Sequence, residues 1–124
     1  MYFSFYFFLF SSTIQHFFPD LPIMSTPPKV TAIHSSTVTV AWSAWTPGVD
    51  VGDGPVVSYK VYIKESNIWQ ERTVMGHATR VILDGLEPDT NYGISVAAVR
   101  EGIGGTGPRS AVTNITTLCA GKTN

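Results

Sequence analysis

The stretch Leu86-Glu87-Pro88-Asp89-Thr90-Asn91-Tyr92 decides how this chain folds. An apolar residue precedes a turn built on Pro88, and Tyr92 then opens an alternating apolar run that ends at Ala98. This order is typical of a tyrosine corner, in which the buried ring closes the edge of a β-sandwich and its hydroxyl bonds to backbone upstream in the loop. The alternative is an ordinary strand that starts with a tyrosine, but the neighbouring segments favour the corner.

Short β-favouring runs separated by turn residues fill the chain from Pro27 to Thr117, and no segment keeps a helical period beyond a turn or two. Residues 37–42 alternate between apolar and polar, and in residues 57–63 the odd-numbered positions, starting with Val57, are expected to face the core. Two such sheets packed face to face bury both apolar sides. The side chains predicted for the core, with the first at its centre, are Trp42, Tyr59, Val61, Leu86, Tyr92, Ile94 and Val96.

Length and charge limit the classes of function. The chain has 124 residues, which is room for one domain with a modest core. With 8 basic and 9 acidic residues its net charge is −1, so no basic field would attract nucleic acid or an anionic membrane. Cys119 is the single cysteine, which excludes an intramolecular disulfide.

The first 26 residues differ in composition from the rest. Residues 1–19 contain all seven phenylalanines and no charged side chain. Their apolar run resembles the central region of a signal peptide in length and is too short to cross a bilayer. Three interpretations stay open: an atypical signal peptide, a segment outside the natural reading frame or a mis-set start, and a membrane anchor.

The four prolines between Pro19 and Pro28 predict an extended linker. We therefore divide the chain into an apolar segment with a linker at 1–26, one domain at 27–118 and a C-terminal tail at 119–124.

Taken together, these residues resemble a fibronectin type III domain. The similarity begins at Pro27-Pro28, passes through Trp42, the alternating strand around Tyr59 and the tyrosine corner, and ends at Thr116-Thr117. It implies a seven-stranded antiparallel sandwich of the immunoglobulin-like class.

A narrower similarity is to the first type III repeat of MAM-type receptor tyrosine phosphatases and of Tie-type receptor tyrosine kinases. It rests on Gly52-Asp53-Gly54-Pro55, Trp69, the segment 86–90 and the segment 100–107, and the ending Thr117-Leu118-Cys119-Ala120 is more like the phosphatases. Trp69 itself is expected to pack on a sheet edge.

The resemblance implies a non-catalytic module of an extracellular or cell-surface receptor, acting as a spacer and contact surface, with neighbouring ectodomain modules or a cell-surface protein as partners and without a cofactor. Contact with a membrane is expected only through a parent protein or the N-terminal apolar segment. An alternative from the same family is an accessory domain within a phosphatase, kinase or glycosidase.

A cytokine-receptor module is the remaining alternative, because Trp42-Ser43-Ala44-Trp45-Thr46 is similar to the tryptophan box of that family. The box follows the second predicted strand, whereas in those receptors it precedes the last one. Such a module would also stack arginines of the sixth strand against Trp42 and Trp45, and only Arg100 is available there.

Nucleotide binding and catalysis find no support. Residues 102–107 satisfy the pattern G-x-G-x-x-G, but a phosphate site needs a helix directly afterwards and Pro108 follows, so these glycines are predicted to form a hairpin. The three histidines, His16, His34 and His77, lie in different segments without a neighbouring nucleophile and orienting acid.

The candidate binding residues lie on two loops, because loops on a rigid sandwich carry most contacts. The connection Ser43–Pro55 is long and carries Trp45, Val49 and Val51. Tryptophan is frequent among interface hot spots, so an exposed Trp45 would anchor a partner. In the alternative, Trp45 folds back and shields the end of the sandwich.

The second loop contributes Arg100, Glu101 and Ile103. Because Glu101 follows Arg100, the Arg-Gly-Asp motif that some type III repeats offer to integrins is absent. Asn114-Ile115-Thr116 is a candidate acceptor for N-glycosylation if the chain enters the secretory pathway.

Overall fold

Seven antiparallel strands form the domain in the computed structural model, which describes residues 20–74 and 76–120. They make a three-stranded sheet of order β1-β2-β5 and a four-stranded sheet of order β4-β3-β6-β7. No helix occurs in these two ranges, so the predicted all-β sandwich is confirmed. The strands are β1 (Lys29–Ile33), β2 (Val38–Ala41), β3 (Val56–Glu65), β4 (Ile68–Val74), β5 (Arg80–Leu83), β6 (Asn91–Arg100) and β7 (Thr113–Thr116).

The core lies between the two sheets, where the apolar sides of the alternating strands meet. Trp42 lies just after β2, and its ring meets that of Tyr59 from β3 edge to face, with centroids 5.7 Å apart. All seven side chains expected in the core are buried, namely Trp42, Tyr59, Val61, Leu86, Tyr92, Ile94 and Val96.

One core position differs from the alternation in the sequence. The pairing of β3 with β6 shifts register between Val56 and Ser58. Val57, expected to face the core, is 37% exposed, and Val56 packs against the core instead. A bulge inserts an extra residue into one strand and so turns the flanking side chains to the opposite face, which a strict period of two cannot anticipate.

Tyr92 forms the tyrosine corner at the start of β6. Its ring is buried, and its hydroxyl oxygen accepts a hydrogen bond from the backbone N–H of Glu87 at 2.8 Å. The hydroxyl of Thr117 donates to the carbonyl of Glu87 at 2.6 Å and accepts from the N–H of Thr90 at 2.9 Å. The corner and the end of the last strand are thus tied together.

The segment predicted to be a linker packs on the domain from residue 20 onward. Pro22 and Met24 are buried, and Met24 belongs to the core. The N–H of Ile23 donates to the carbonyl of Val51 at 2.9 Å. Prolines favour an extended backbone, as predicted, but extended backbone does not have to be a free linker. In this segment it packs against the 43–55 loop.

The packed chain therefore starts before the predicted boundary at residue 27. The signal peptide, non-native segment or anchor considered for residues 1–19 lies outside the described residues, as do the last four residues of the predicted tail.

Candidate interaction surface

Both candidate loops lie at the same end of the sandwich. Val56, where the 43–55 loop enters β3, pairs with Arg100, where β6 ends. The chain also enters the domain at this end, because Ile23 pairs with Val51. We call the surface formed by residues 20–23, 43–55 and 101–107 the loop surface.

Trp45 is not the exposed anchor that its residue type suggested. It is only 7% exposed, and its backbone N–H donates to the hydroxyl of Tyr59 at 2.8 Å. Its indole Nε1 donates to the carbonyl of Val51 at 3.1 Å, and Gly54 lies so close to the ring that a Cβ there would be 2.9 Å from it. The alternative prediction, in which Trp45 folds back over the end of the sandwich, describes the structure: Trp45 holds the loop from inside.

Asp50 closes a turn that raises Val49 into solvent. Its Oδ2 accepts from the N–H of Thr46 at 2.7 Å, while its own N–H donates to the carbonyl of Thr46 at 2.9 Å. Its Oδ1 accepts a hydrogen bond from the hydroxyl of Ser25. An aspartate side chain that accepts a hydrogen bond from a nearby backbone N–H supplies the partner that a helix or sheet would otherwise provide. The bonds of Asp50 therefore stiffen the loop.

Residues 21 and 22 pack between the two loops. Each loop has a glycine at the point of contact, because a larger residue would clash with the backbone of residue 21 or 22. A Cβ on Gly52 would lie 2.2 Å from the carbonyl oxygen of Leu21, and one on Gly107 would lie 1.8 Å from that of Pro22. The three parts of the loop surface are therefore in contact through backbone.

The second loop is the glycine hairpin that the sequence predicted. The N–H of Arg100 donates to the carbonyl of Gly105 at 2.8 Å, and Gly102 and Gly104 have positive φ angles of 103° and 71°. Such angles are open to glycine at no steric cost, so the hairpin can be short. Ile103 stands at its tip.

The loop surface exposes apolar side chains that the core does not use. Val49 is 79% exposed, Val51 is 61% exposed and Ile103 is fully exposed. Glu101 is exposed beside Ile103, and Arg100 is half-buried, with no hydrogen-bond partner for its buried Nε within residues 20–74 and 76–120. Leu21, 37% exposed, joins this set but was missed because its segment was interpreted as a linker.

A second cluster, on the outer face of the four-stranded sheet, was not predicted. The guanidinium carbon of Arg109 lies 4.3 Å from the centroid of Trp69 and 5.4 Å from that of Tyr62. The ammonium of Lys64 lies 5.2 Å from the same Trp69 ring. These cation–π contacts pin the segment before β7 across the sheet. Arg109 and Trp69 are 40 positions apart, so local sequence carries no sign of the pair.

The stack also bears on the cytokine-receptor alternative. The arginines of such a module were expected on Trp42 and Trp45, but both indoles are buried. The stacked arginine is Arg109, which follows β6, and it uses Trp69 and Tyr62.

Within residues 20–74 and 76–120, no group of three or more His, Cys, Asp and Glu side chains could hold a metal ion. No helix in those ranges has the length and apolar character needed to cross a membrane.

The family model of the fibronectin type III domain matches residues 25–116. This chain therefore belongs to the fibronectin type III family, whose sandwich is a non-catalytic fold.

Curated relatives and a solved structure agree with this assignment. Contactin-5 of Danio rerio is 29% identical over 86 residues, which is 69% of this chain and 8% of the relative. Human receptor-type tyrosine-protein phosphatase F is 38% identical over 69 residues, which is 56% of this chain and 4% of the relative. The chain thus spans less than a tenth of either protein. The third fibronectin type III domain of human KIAA0343 protein is similar in structure, with a TM-score of 0.66 and 25% identity over 83% of this chain and 88% of that one.

Proposed function

We propose that this chain is a non-catalytic interaction module of an extracellular or cell-surface receptor-like protein, and that it acts as a spacer and a contact surface. The observation that carries the proposal is the loop surface, where Val49, Val51 and Ile103 are exposed on loops held from inside. Similarity to a contactin and to a receptor-type phosphatase supports a protein partner and an extracellular position.

The loops are suited to binding because their conformation is fixed before a partner arrives. Trp45 and Asp50 restrain the backbone that carries Val49 and Val51, while Gly52 and Gly107 let the two loops lie close against residues 21 and 22. Ordering a flexible side chain at an interface costs about 0.5–1.5 kcal/mol, and a loop that is already ordered avoids much of the comparable cost in its backbone. Exposed apolar side chains on a rigid loop end therefore favour a contact surface.

The partner we infer is another protein domain with a complementary apolar contact. Because the chain enters the domain beside Val51, a module that precedes this one in a longer protein would lie next to the loop surface. Val49, Val51 and Ile103 present exposed apolar surface there, so apolar contact would contribute most to binding.

A narrower proposal concerns the parent protein. The segments 52–55 and 100–107 resemble the first type III repeat of MAM-type receptor phosphatases and Tie-type receptor kinases. The likeness to receptor-type tyrosine-protein phosphatase F supports the phosphatase side, with this chain as an accessory domain of a signalling receptor.

The cellular location is tested by expressing the full chain with a C-terminal epitope tag in mammalian cells. We expect it in the medium or on the surface of intact cells. If a leader is removed, the new N-terminus should lie at or before Asp20, because Pro22 and Met24 are buried in the domain. An intact chain confined to the cytosol would contradict the proposal.

The contact surface is tested with the secreted chain, clustered on streptavidin and titrated onto intact cells. The triple variant Val49→Ser, Val51→Ser, Ile103→Ser should lose most of the saturable binding. The matched control is Ile68→Ser with Ile82→Ser, two isoleucines that are 66% and 62% exposed outside the loop surface. Equal binding by the triple variant and the unchanged chain would exclude the loop surface as the contact.

A further inference from the structure

The outer face of the four-stranded sheet carries a row of four residues, one from each strand. Asn114 of β7 pairs with Gly93 of β6, Gly93 pairs with Lys64 of β3, and Lys64 pairs with Trp69 of β4. Directly paired residues of antiparallel strands point to the same face, so this row runs straight across the sheet.

Asn114 is accessible at the start of this row. It and Thr116 are exposed, whereas Ile115 between them packs against the core. β7 is the outermost strand of its sheet, so nothing further in the sheet covers it. The two polar residues of the sequon Asn114-Ile115-Thr116 therefore present their side chains to solvent together.

Gly93, beside Asn114, is buried under the side chains of its neighbours. A Cβ at that position would meet the Cγ1 of Val112 at 3.0 Å, the Cε of Lys64 at 3.4 Å and the Oδ1 of Asn114 at 3.5 Å. The side chains around Gly93 thus provide an apolar edge and a methylene stem, surfaces on which the C–H face of a sugar can lie.

We propose that Asn114 carries an N-linked glycan whose first sugars lie along this row toward Trp69. The donor is an oligosaccharide linked to a polyisoprenyl diphosphate. The Nδ2 of Asn114 forms a bond to the anomeric carbon of the first sugar, the bond from that carbon to the diphosphate oxygen breaks, and Nδ2 loses one proton. The polyisoprenyl diphosphate leaves with the electron pair of the broken bond.

The reach of the glycan fits the row. Adjacent strands lie about 4.8 Å apart, so Trp69 is roughly 14 Å from Asn114, within the span of a glycan core. Lys64 and Arg109 offer N–H donors there to sugar hydroxyl and acetamide oxygens. The partly exposed Trp69 ring adds an aromatic surface. The glycan would cover this face and leave the loop surface free.

This inference rests on the proposed extracellular location, so its test supplies a cleavable secretory leader ahead of the full chain. Intact mass is measured before and after treatment with an enzyme that removes N-glycans and converts the acceptor asparagine to aspartate. The unchanged chain and Thr116→Ser, which keeps the sequon, should lose a glycan mass. Asn114→Gln and Thr116→Val should show none. A secreted, folded chain without a glycan at Asn114 would overturn the site while leaving the proposed function standing.

The path of the glycan is tested by collisional quenching of tryptophan fluorescence with acrylamide. Trp42 and Trp45 are each only 7% exposed, so quenching reports chiefly on Trp69. Removing the glycan should increase quenching, and Trp69→Phe should abolish that difference. Equal quenching with and without the glycan would overturn its placement along the row. Retention in the cytosol of the chain expressed without the added leader would instead count against the proposed function alone.

Discussion

At each end of the sandwich a tyrosine hydroxyl accepts a hydrogen bond from a loop backbone N–H, but the two bonds differ in the sequence distance that they span. At one end the hydroxyl of Tyr92 accepts a hydrogen bond from the N–H of Glu87 at 2.8 Å. At the other end the hydroxyl of Tyr59 accepts one from the N–H of Trp45, also at 2.8 Å. The first bond joins residues 5 apart and the second joins residues 14 apart.

The tyrosine corner is therefore a local sequence motif, whereas the bond of Tyr59 depends on the tertiary fold. The corner of Tyr92 is specified by neighbouring residues and fixes the end where the last strand finishes. The bond of Tyr59 exists only because the 43–55 loop folds back, which Trp45 brings about by entering the core. The end that displays the exposed apolar residues is thus held by long-range contacts.

Removing the indole of Trp45 should have the largest effect. Trp45→Ala takes away a buried ring and the hydrogen bond from its indole N–H to the carbonyl of Val51, so we expect the free energy of unfolding to fall by about 3–5 kcal/mol. Equilibrium denaturation with urea measures it. A loss below about 1 kcal/mol would mean that the ring contributes little packing and that the two ends are not comparable.

Gly107→Ala should displace the N-terminal segment, residues 20–23, from its contact with the loops. Its Cβ would lie 1.8 Å from the carbonyl oxygen of Pro22, so the segment must move, at a cost of about 1–3 kcal/mol. Amide exchange at Ile23, whose N–H bonds to Val51, should become faster. The control is Gly104→Ala, whose Cβ meets nothing within 4 Å; its positive φ strains only the 101–107 hairpin, so Ile23 should stay protected. Unchanged amide exchange at Ile23 in Gly107→Ala would contradict the packing of residues 21 and 22 between the two loops.

Tyr59→Phe sharpens the comparison by deleting one hydroxyl. The N–H of Trp45 is then left buried without a partner, which should cost about 1–3 kcal/mol. Thermal and urea unfolding measure the change, and a crystal structure of the variant shows whether the loop keeps its path. A stability equal to that of the unchanged chain would show that water reaches this N–H.

Tyr92→Phe should cost less, about 0.5–1.5 kcal/mol, although the motif is the more recognisable one. The bond at Glu87 is only part-buried, whereas that at Trp45 is buried, so water can reach the N–H of Glu87 once the hydroxyl is gone. Both tyrosine variants should be measured in one urea series. A clearly larger loss of stability in Tyr92→Phe than in Tyr59→Phe would contradict this difference between the two ends.

Polar replacements on the loop surface should have the smallest effect on folding. Val49→Ser and Val51→Ser should change the free energy of unfolding by no more than about 0.5 kcal/mol, because both side chains are largely in water. Val61→Ser, at a fully buried position, is the matched control and should be strongly destabilising. A large loss for Val49→Ser would mean that this side chain packs within the domain.

Much of the fold could be predicted because its signals are local. Alternation along 57–63 and 92–98 indicated the strands, and the order of residues from Leu86 to Tyr92 indicated the corner. The bulge at Val56 could not be seen, since it depends on the register with β6. The packing of Met24 was missed because prolines report backbone conformation and not what the backbone contacts.

The candidate surface was predictable only in part. Glycines and a long connection indicated which loops to consider, and Val49, Val51 and Ile103 are exposed on them. The inward direction of Trp45 depends on a hydroxyl 14 residues away, so residue type alone could not decide it. The stack of Arg109 on Trp69 likewise joins distant segments.

Amide hydrogen exchange at Trp45, followed residue by residue by NMR in the native protein, tests the central claim most directly. If buried hydroxyls hold both ends, the N–H of Trp45 should exchange only through large-scale opening, more slowly than that of Glu87, and Tyr59→Phe should remove protection at Trp45 while leaving Glu87 unchanged. Exchange of the Trp45 amide at the rate of an unprotected peptide would contradict the claim that this end is rigidly held.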